Sequence, residues 1–199
     1  MKLLVLATLA ACATPSAAPP AAPTNAAPPP SPPAAPPAAG TIAKACSGPE
    51  FRQLDFWIGD WNVKIHARAS PSSDQWADAV GTQHVRSILS GCAIEENFAA
   101  EGPQSPWAGR SFATFDHFTN KWRQTWVDDS GGYIPLDGGP EGTDFALYGP
   151  PREIKGTKFQ MRMVWKNIAH DTLRWEWQRS EDGWATNALM MAIDYTRMK

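Results

Sequence analysis

The sequence lacks an excess of charge of either sign. Its 18 Lys and Arg residues are balanced by 20 Asp and Glu residues, for a formal net charge of −2. The basic residues are scattered among the acidic ones, so no stretch has the footprint of a nucleic-acid site or a polybasic membrane patch. We therefore predict no nucleic-acid partner.

Motifs for catalysis are also missing. The chain has no G-x-S-x-G elbow, no H-E-x-x-H pair, no phosphate-binding glycine loop and no Cys-x-x-Cys pair. The four histidines (His66, His84, His117 and His170) do not have the spacing of metal ligands. We therefore predict no metal and no cofactor, and favour a protein that is not an enzyme.

Long apolar runs are scarce at the N-terminus. Residues 3–9 form a short apolar stretch after Lys2, far below the ~20 residues of a membrane-spanning helix. This pattern predicts a signal peptide over residues 1–11. The sequence Leu9-Ala10-Ala11-Cys12 resembles the bacterial lipobox, which implies a lipid on Cys12 and attachment to the cell envelope. Ala13 after the cysteine favours the outer membrane, facing the periplasm; ordinary cleavage with an incidental Cys12 is the alternative.

Residues 12–45 have almost no charge and almost no large apolar side chain. Residues 13–40 are mainly Ala and Pro, which cannot bury enough surface to fold. Proline favours the extended polyproline II conformation, so we predict a semi-rigid spacer. A recognition segment for an aromatic groove is the alternative. Residues 46–199 contain all ten tryptophans and form the predicted domain.

Cysteine is rare, with three residues in the chain. If Cys12 carries a lipid, Cys46 and Cys92 are the remaining pair in an oxidising compartment. We predict a disulfide between them. Two free thiols, with Cys92 in the core, are the alternative.

Alternation of apolar and polar residues dominates the domain and predicts strands. In residues 158–166, Phe159, Met161, Met163 and Trp165 share one face. Similar patterns predict strands at residues 62–66, 80–89, 93–98, 110–118, 122–128, 144–148, 173–178 and 188–195. Turn sequences such as Gly138-Gly139 separate them, and residues 49–55, with Ser47 as a possible N-cap, form the one helical candidate.

Nine or ten short strands without intervening helices favour an all-β fold. An antiparallel up-and-down β-barrel removes exposed sheet edges, so we predict this architecture, with a short N-terminal helix. A two-sheet sandwich is the alternative.

The residues around the first strand resemble those of the calycin superfamily. Gly59-x-Trp61 matches the G-x-W signature, and Arg197 follows the last predicted strand. The resemblance implies a calycin-like barrel in which Arg197 packs on Trp61 and closes one end. Gly59 would give the backbone room at this point.

Four longer motifs are similar to those of the bacterial DUF1579 envelope proteins. They are "RQLDFWIGDWNV", "GCAIEENF", "WRQTWVDDSGG" and a final Tyr-x-Arg. This family is regarded as lipocalin-like and has no assigned activity. The resemblance therefore implies a fold and supplies no catalytic residue.

A lipocalin-like barrel would bind a small, mostly apolar molecule through burial and a few polar groups. Our candidate site consists of two kinds of strand residue. Some are polar residues predicted to share a strand face with apolar neighbours, and the others are bulky residues of the predicted strands. These are Glu95, Asn97, Gln124, Trp126, Asp128, Met161, Met163 and Trp175. If the polar residues point outward, they are only solvated surface.

Other functions remain open at this point. The barrel could be filled by its own side chains, with Trp76 and Trp107 in loops contacting a protein partner or a cell-wall glycan. A haem-binding barrel would use a histidine, with His170 the first candidate, and a barrel rim could carry catalysis. The pair Asp128 and Asp129 could hold a cation, although the turn sequence that follows is a plainer explanation.

Overall fold

The computed structural model describes residues 46–70, 72–101 and 106–199. The predicted signal peptide, Cys12 and the whole of the predicted linker, residues 12–45, lie outside these residues. Among the described residues, no helix is both long and apolar enough to cross a lipid bilayer.

One antiparallel sheet of eleven strands makes up the domain. The strands are β1 (Gly59–Arg68), β2 (Trp76–Ile88), β3 (Ala93–Glu101), β4 (Trp107–Asp116), β5 (Lys121–Asp128), β6 (Tyr133–Glu141), β7 (Asp144–Tyr148), β8 (Arg152–Ile154), β9 (Thr157–Lys166), β10 (Thr172–Ser180) and β11 (Ala188–Arg197). Each strand pairs with its neighbour in sequence, except that β7 pairs with β9, because the short β8 pairs only with the first residues of β9.

Pairing of β1 with β11 and of β9 with β10 closes the sheet into a barrel. The predicted barrel is therefore confirmed, and the sandwich alternative is wrong. The ring contains ten strands, since β8 lies outside it. Closure leaves the ring without a free edge, which protects it from edge-to-edge association.

Alternation of burial along the strands, clearest in β1, places the core inside the ring. In β1, Trp61, Val63 and Ile65 are buried while the residues between them are exposed. The apolar side chains share one face because side chains alternate along a strand with a period of two. The same rule orients the side chains of the other strands and so determines which of them can form a site.

Strand β6 was not predicted, because its sequence contains Gly138-Gly139 and two prolines and is typical of a turn. In the structure both glycines lie within this strand. A Cβ atom on Gly138 would lie 2.1 Å from the carbonyl oxygen of Ala146 in β7. Gly138 therefore permits close approach of two strands, a common reason for glycine inside a sheet.

Two short 3₁₀ helices, Pro49–Arg52 and Asp55–Trp57, replace the single helix predicted over residues 49–55. The sequence suggested Ser47 as the N-cap, but Gly48 occupies that position in the structure. Phe51, Leu54 and Trp57 are buried, so this segment packs its apolar side against the barrel. It covers the end of the barrel at which β1 begins.

The closed end is built around Trp61, which is fully buried. The Arg197 guanidinium carbon lies 4.0 Å from the centroid of the Trp61 ring, which is the pairing expected from the sequence. Arg197 also donates hydrogen bonds to the carbonyl oxygens of Ile58 (2.9 Å) and His170 (2.8 Å). Gly59 has a φ of +148°, and a Cβ there would lie 2.0 Å from Arg197 Nη1. Glycine is therefore required beside this arginine.

Cys46 and Cys92 form a disulfide in the structure. It links the chain before the first 3₁₀ helix to the residue that precedes β3. The segment that covers the closed end is thus attached covalently to the barrel wall.

Candidate ligand cavity

A cavity of about 180 Å³ lies inside the barrel, on the open side of the Trp61 floor. Side chains from the second 3₁₀ helix and from seven strands surround it. They are Trp57, Glu96, Phe98, Trp107, Gln124, Trp126, Asp128, Ile134, Met163, Trp165, Trp175, Trp177, Met191, Ile193 and Tyr195. The barrel is therefore not completely filled by its own side chains.

Six of the lining residues are tryptophans. Several of them hold one another in fixed orientations through edge-to-face contacts. The Trp57 and Trp165 rings are 5.1 Å apart, and Phe98 lies 5.1 Å from Trp107 and 6.0 Å from Trp126. Such contacts stabilise aromatic pairs beyond simple burial, so the walls are preorganised and present π-faces and ring edges to the cavity.

A polar cluster interrupts this apolar wall. It consists of Glu96 on β3, Ser111 on β4 and Gln124 on β5, all buried. The Ser111 hydroxyl donates to Glu96 Oε2, and Gln124 Nε2 donates to Ser111 Oγ at 2.6 Å and to Glu96 Oε2 at 3.3 Å. Gln124 Oε1 is buried and has no hydrogen-bond partner among the described residues.

Burial dominates the electrostatics of this cluster. It raises the pKa of Glu96 to about 7, and the hydrogen bond from Ser111 opposes the shift only in part. Burial also raises the pKa of Tyr195 well above its usual value, and the nearby Glu96 carboxylate adds to this effect. The Tyr195 hydroxyl donates to Gln83 Oε1 at 2.6 Å. Glu96 therefore titrates near neutral pH inside the barrel.

Asp128 contributes a second carboxylate, at the end of β5. Its Oδ1 atom accepts hydrogen bonds from Ser130 and from the backbone N–H of Gly132, and Oδ2 accepts one from Trp126 Nε1 at 3.0 Å. These bonds, led by the Ser130 hydroxyl, lower the pKa of Asp128. Asp129 accepts a hydrogen bond from the backbone N–H of Ala108. The two residues thus shape the turn, and Asp128 also faces the cavity.

Five of the eight candidate site residues line the cavity: Gln124, Trp126, Asp128, Met163 and Trp175. They come from β5, β9 and β10. Met161 shares the parity of Met163 but is nearer the start of β9 and does not line the cavity.

The prediction that Glu95 and Asn97 face the interior is wrong. Ile94, Glu96 and Phe98 are the buried residues of this part of β3, so Glu95 and Asn97 lie on the opposite face. Asn97 instead borders a shallow groove on the outside of the barrel with His84 and Arg110. Ile94, Glu96 and Phe98 occupy alternate positions of β3, so the two apolar residues could have identified Glu96 as the inward carboxylate.

Trp107 was expected in an exposed loop, as an anchor for a partner. It is the first residue of β4, packs on Phe98 and Trp126, and lines the cavity. Trp76 is the first residue of β2 and stacks on His66 with 4.4 Å between the ring centroids. The adaptor hypothesis thus loses Trp107 as an outward-facing residue.

The histidines lie away from the cavity. None of the four is among its lining residues, and the His170 side chain is 87% exposed. His170 is therefore in the wrong place to ligate a haem bound inside the barrel. The described part of the chain contains no group of three or more His, Cys, Asp or Glu side chains arranged to hold a metal ion.

Comparison with protein families gives a match over most of the chain. The model for DUF1579, described as "Protein of unknown function (DUF1579)", matches residues 47–197. The chain belongs to the DUF1579 family. A search of curated proteins found no significant match.

Among solved structures, this DUF1579 protein is similar to "Crystal Structure of Rv2717c from M. tuberculosis". The TM-score is 0.55 at 12% identity, and the match covers 76% of this chain and 99% of that one. A second match is "Structure of EF1p2_mFAP2b bound to DFHBI", with a TM-score of 0.41, 13% identity and coverage of 75% and 99%. At such low identity, the first match supports the barrel fold alone.

Proposed function

We propose that this DUF1579 protein is a lipid-anchored protein of the bacterial cell envelope whose barrel binds a small, mostly apolar molecule. The observation that carries the proposal is the cavity of about 180 Å³, lined mainly by aromatic side chains with a few polar groups. Concave apolar sites with a few convergent polar groups are the usual form of small-molecule sites.

The cavity volume limits the size of the ligand. An engineered apolar cavity of about 150 Å³ binds benzene, whereas sites for drug-sized ligands span about 300–1,000 Å³. The cavity of this protein is closer to the first class. We therefore expect a ligand with one aromatic ring or a compact aliphatic body.

Binding would depend on transfer of apolar surface out of water. Each Å² of apolar ligand surface buried contributes about 25 cal/mol. Because the tryptophans are held by mutual contacts, little side-chain entropy is lost when a ligand enters. The protein would thus capture and shield its ligand without a chemical step.

Anchoring rests on the sequence of residues 1–12, which ends at Cys12. We propose that Cys12 becomes the lipid-modified N-terminus on the outer membrane, facing the periplasm, and that residues 13–45 act as a spacer. The intact mass of protein purified from its native envelope should equal residues 12–199 plus a diacylglycerol-type modification. An unmodified mass that starts at another residue would contradict the anchor.

Native mass spectrometry of the same preparation tests ligand binding. We expect a fraction of the protein to carry one small molecule, which lipid and solvent extraction followed by mass analysis should identify. The control is protein refolded from denaturant, which should lack this adduct.

A cavity-blocking variant locates the binding site. Met191 lines the cavity, whereas its neighbour Met190 does not. Met191→Trp should weaken binding of a one-ring ligand such as benzyl alcohol by tenfold or more, because an indole occupies the space. Met190→Trp is the matched control and should leave the affinity unchanged. Calorimetric titration of the three proteins, each first checked for a cooperative thermal transition, provides the measurement; equal affinities would place binding elsewhere.

A further inference from the structure

The charges that line the cavity are of one sign. Glu96 and Asp128 contribute carboxylates, while no Lys, Arg or His is among the lining residues. Glu96 is 6% exposed, and its side-chain hydrogen bonds within the described residues come from the neutral groups of Ser111 and Gln124. A buried carboxylate is usually paired with a cation, because its desolvation is otherwise costly. The cavity thus holds an acid without a counter-charge.

Acceptors also outnumber donors in the polar cluster. Both hydrogen bonds to Glu96 reach Oε2, and Gln124 donates through Nε2 while its Oε1 atom has no partner. Gln124 is 2% exposed, so water outside the barrel does not satisfy this oxygen. An unpaired buried acceptor costs about 1–3 kcal/mol, and a ligand that donates a hydrogen bond would recover part of that cost.

The surrounding wall suits a cation with an apolar body. Six indole rings border the cavity, and indole is the aromatic group that attracts cations most strongly. An aromatic enclosure with a carboxylate at one side is a recurrent way to bind organic ammonium groups. The indole N–H groups of Trp57 and Trp165 are buried without partners in the described part of the chain as well, but the Glu96 carboxylate opposes an anion such as a fatty-acid carboxylate.

We infer that the ligand is a small organic cation with an apolar ring or chain and an N–H donor group, such as a primary ammonium, which pairs with Glu96 and Gln124. This inference rests on the proposed function and specifies its ligand class. The ring would lie among the tryptophans, and the N–H groups would donate to Glu96 and to Gln124 Oε1.

The pairing makes binding dependent on pH. Among the titratable groups of the cavity, Tyr195 from β11 interacts with Glu96, and Asp128 from β5 lines the same cavity. The neutral neighbours are Ser111 from β4, which donates to Glu96, and Gln83 from β2, which accepts a hydrogen bond from Tyr195. The pKa of Glu96 is about 7 in the empty protein, so the carboxyl group must lose its proton before it can pair with a cation. Affinity should therefore fall as the pH drops, by roughly 100-fold between pH 8 and pH 5.

Four ligands of similar size test the charge preference by calorimetric titration at pH 7.5: benzylammonium, benzyltrimethylammonium, benzyl alcohol and benzoate. We expect benzylammonium to bind at least tenfold more tightly than benzyl alcohol, and benzoate most weakly. Equal affinity for benzylammonium and benzyl alcohol would overturn the inference and leave the proposed function intact. If none of the four binds, the proposed function itself fails.

The quaternary cation tests the N–H groups. Benzyltrimethylammonium has the charge without the donors, so it should bind more weakly than benzylammonium. Equal binding of these two cations would overturn the assignment of an N–H donor.

Glu96→Gln tests the residue, because it keeps the size of the side chain and removes its charge. It should weaken benzylammonium binding by about 30-fold or more and abolish the pH dependence, with little effect on benzyl alcohol. Glu95→Gln, the same change on the outer face, is the matched control and should retain the wild-type affinity and pH profile. If Glu96→Gln does not fold, the pH profile of the wild-type protein still decides: an affinity that does not change from pH 5 to pH 8 overturns the inference.

Discussion

Trp61→Ala is expected to lower the free energy of unfolding by about 3–5 kcal/mol, the range for truncation of a large buried aromatic residue. Trp61 is fully buried, and its Nε1 donates to the carbonyl oxygen of Trp57 at 2.9 Å. Its removal would leave a cavity beneath Arg197, whose guanidinium would lose the ring on which it packs. Thermal and urea denaturation provide the measurement.

Trp76→Ala is the control for this prediction. Trp76 is only partly buried, and it stacks on His66 near the open end. Its truncation should cost far less stability than that of Trp61. If the free energy of unfolding falls by the same small amount in both variants, Trp61 is not the central residue of the closed end. Trp61→Ala should also affect stability before it affects ligand binding, because Trp61 does not line the cavity.

Removal of the disulfide is expected to have a comparably large effect. Cys46 and Cys92 are 46 residues apart, and the chain-entropy relation for a loop of this length gives about 4 kcal/mol. The double variant Cys46→Ser, Cys92→Ser should therefore have a markedly lower midpoint of urea denaturation. The segment that covers the closed end should also become more accessible to proteases.

Reduction of the wild-type protein serves as the matched experiment. It should shift the midpoint toward that of the double variant, whereas reductant should leave the midpoint of the double variant unchanged. Equal stability of the oxidised and reduced wild-type protein would contradict the prediction, because it would mean that the Cys46–Cys92 disulfide does not stabilise the folded state.

Much of the fold could be predicted because the barrel is encoded locally. In β1 and β10, large apolar residues alternate with polar ones, and a period of two is sufficient to identify such strands. Gly59, Trp61 and Arg197 come together because closure of the barrel places the start of β1 beside the end of β11. β6 escaped prediction because its Gly-Gly and Pro residues are typical of turns, and only the approach of β7 explains a glycine there.

The cavity was harder to predict. In β3, Glu95, Glu96 and Asn97 are consecutive polar residues, so alternation fails locally and the inward residue must be inferred from Ile94 and Phe98. The contact of Glu96 with Gln124 depends on the registers of β3 with β4 and of β4 with β5, which no local pattern contains. Trp107 follows a Gly/Pro-containing segment, a context typical of an exposed loop, but ring contacts with Phe98 and Trp126 place it in the cavity wall.

The most direct test of the account is a crystal structure of the protein soaked with 4-bromobenzylamine. The anomalous signal of bromine would locate the ring without ambiguity. We predict one bromine site inside the barrel, among Trp126, Trp175 and Met191, with the amine nitrogen within hydrogen-bond distance of Glu96. A barrel interior closed by its own side chains, with bromine bound only on the outer surface, would contradict the proposal that this protein binds small molecules in its cavity.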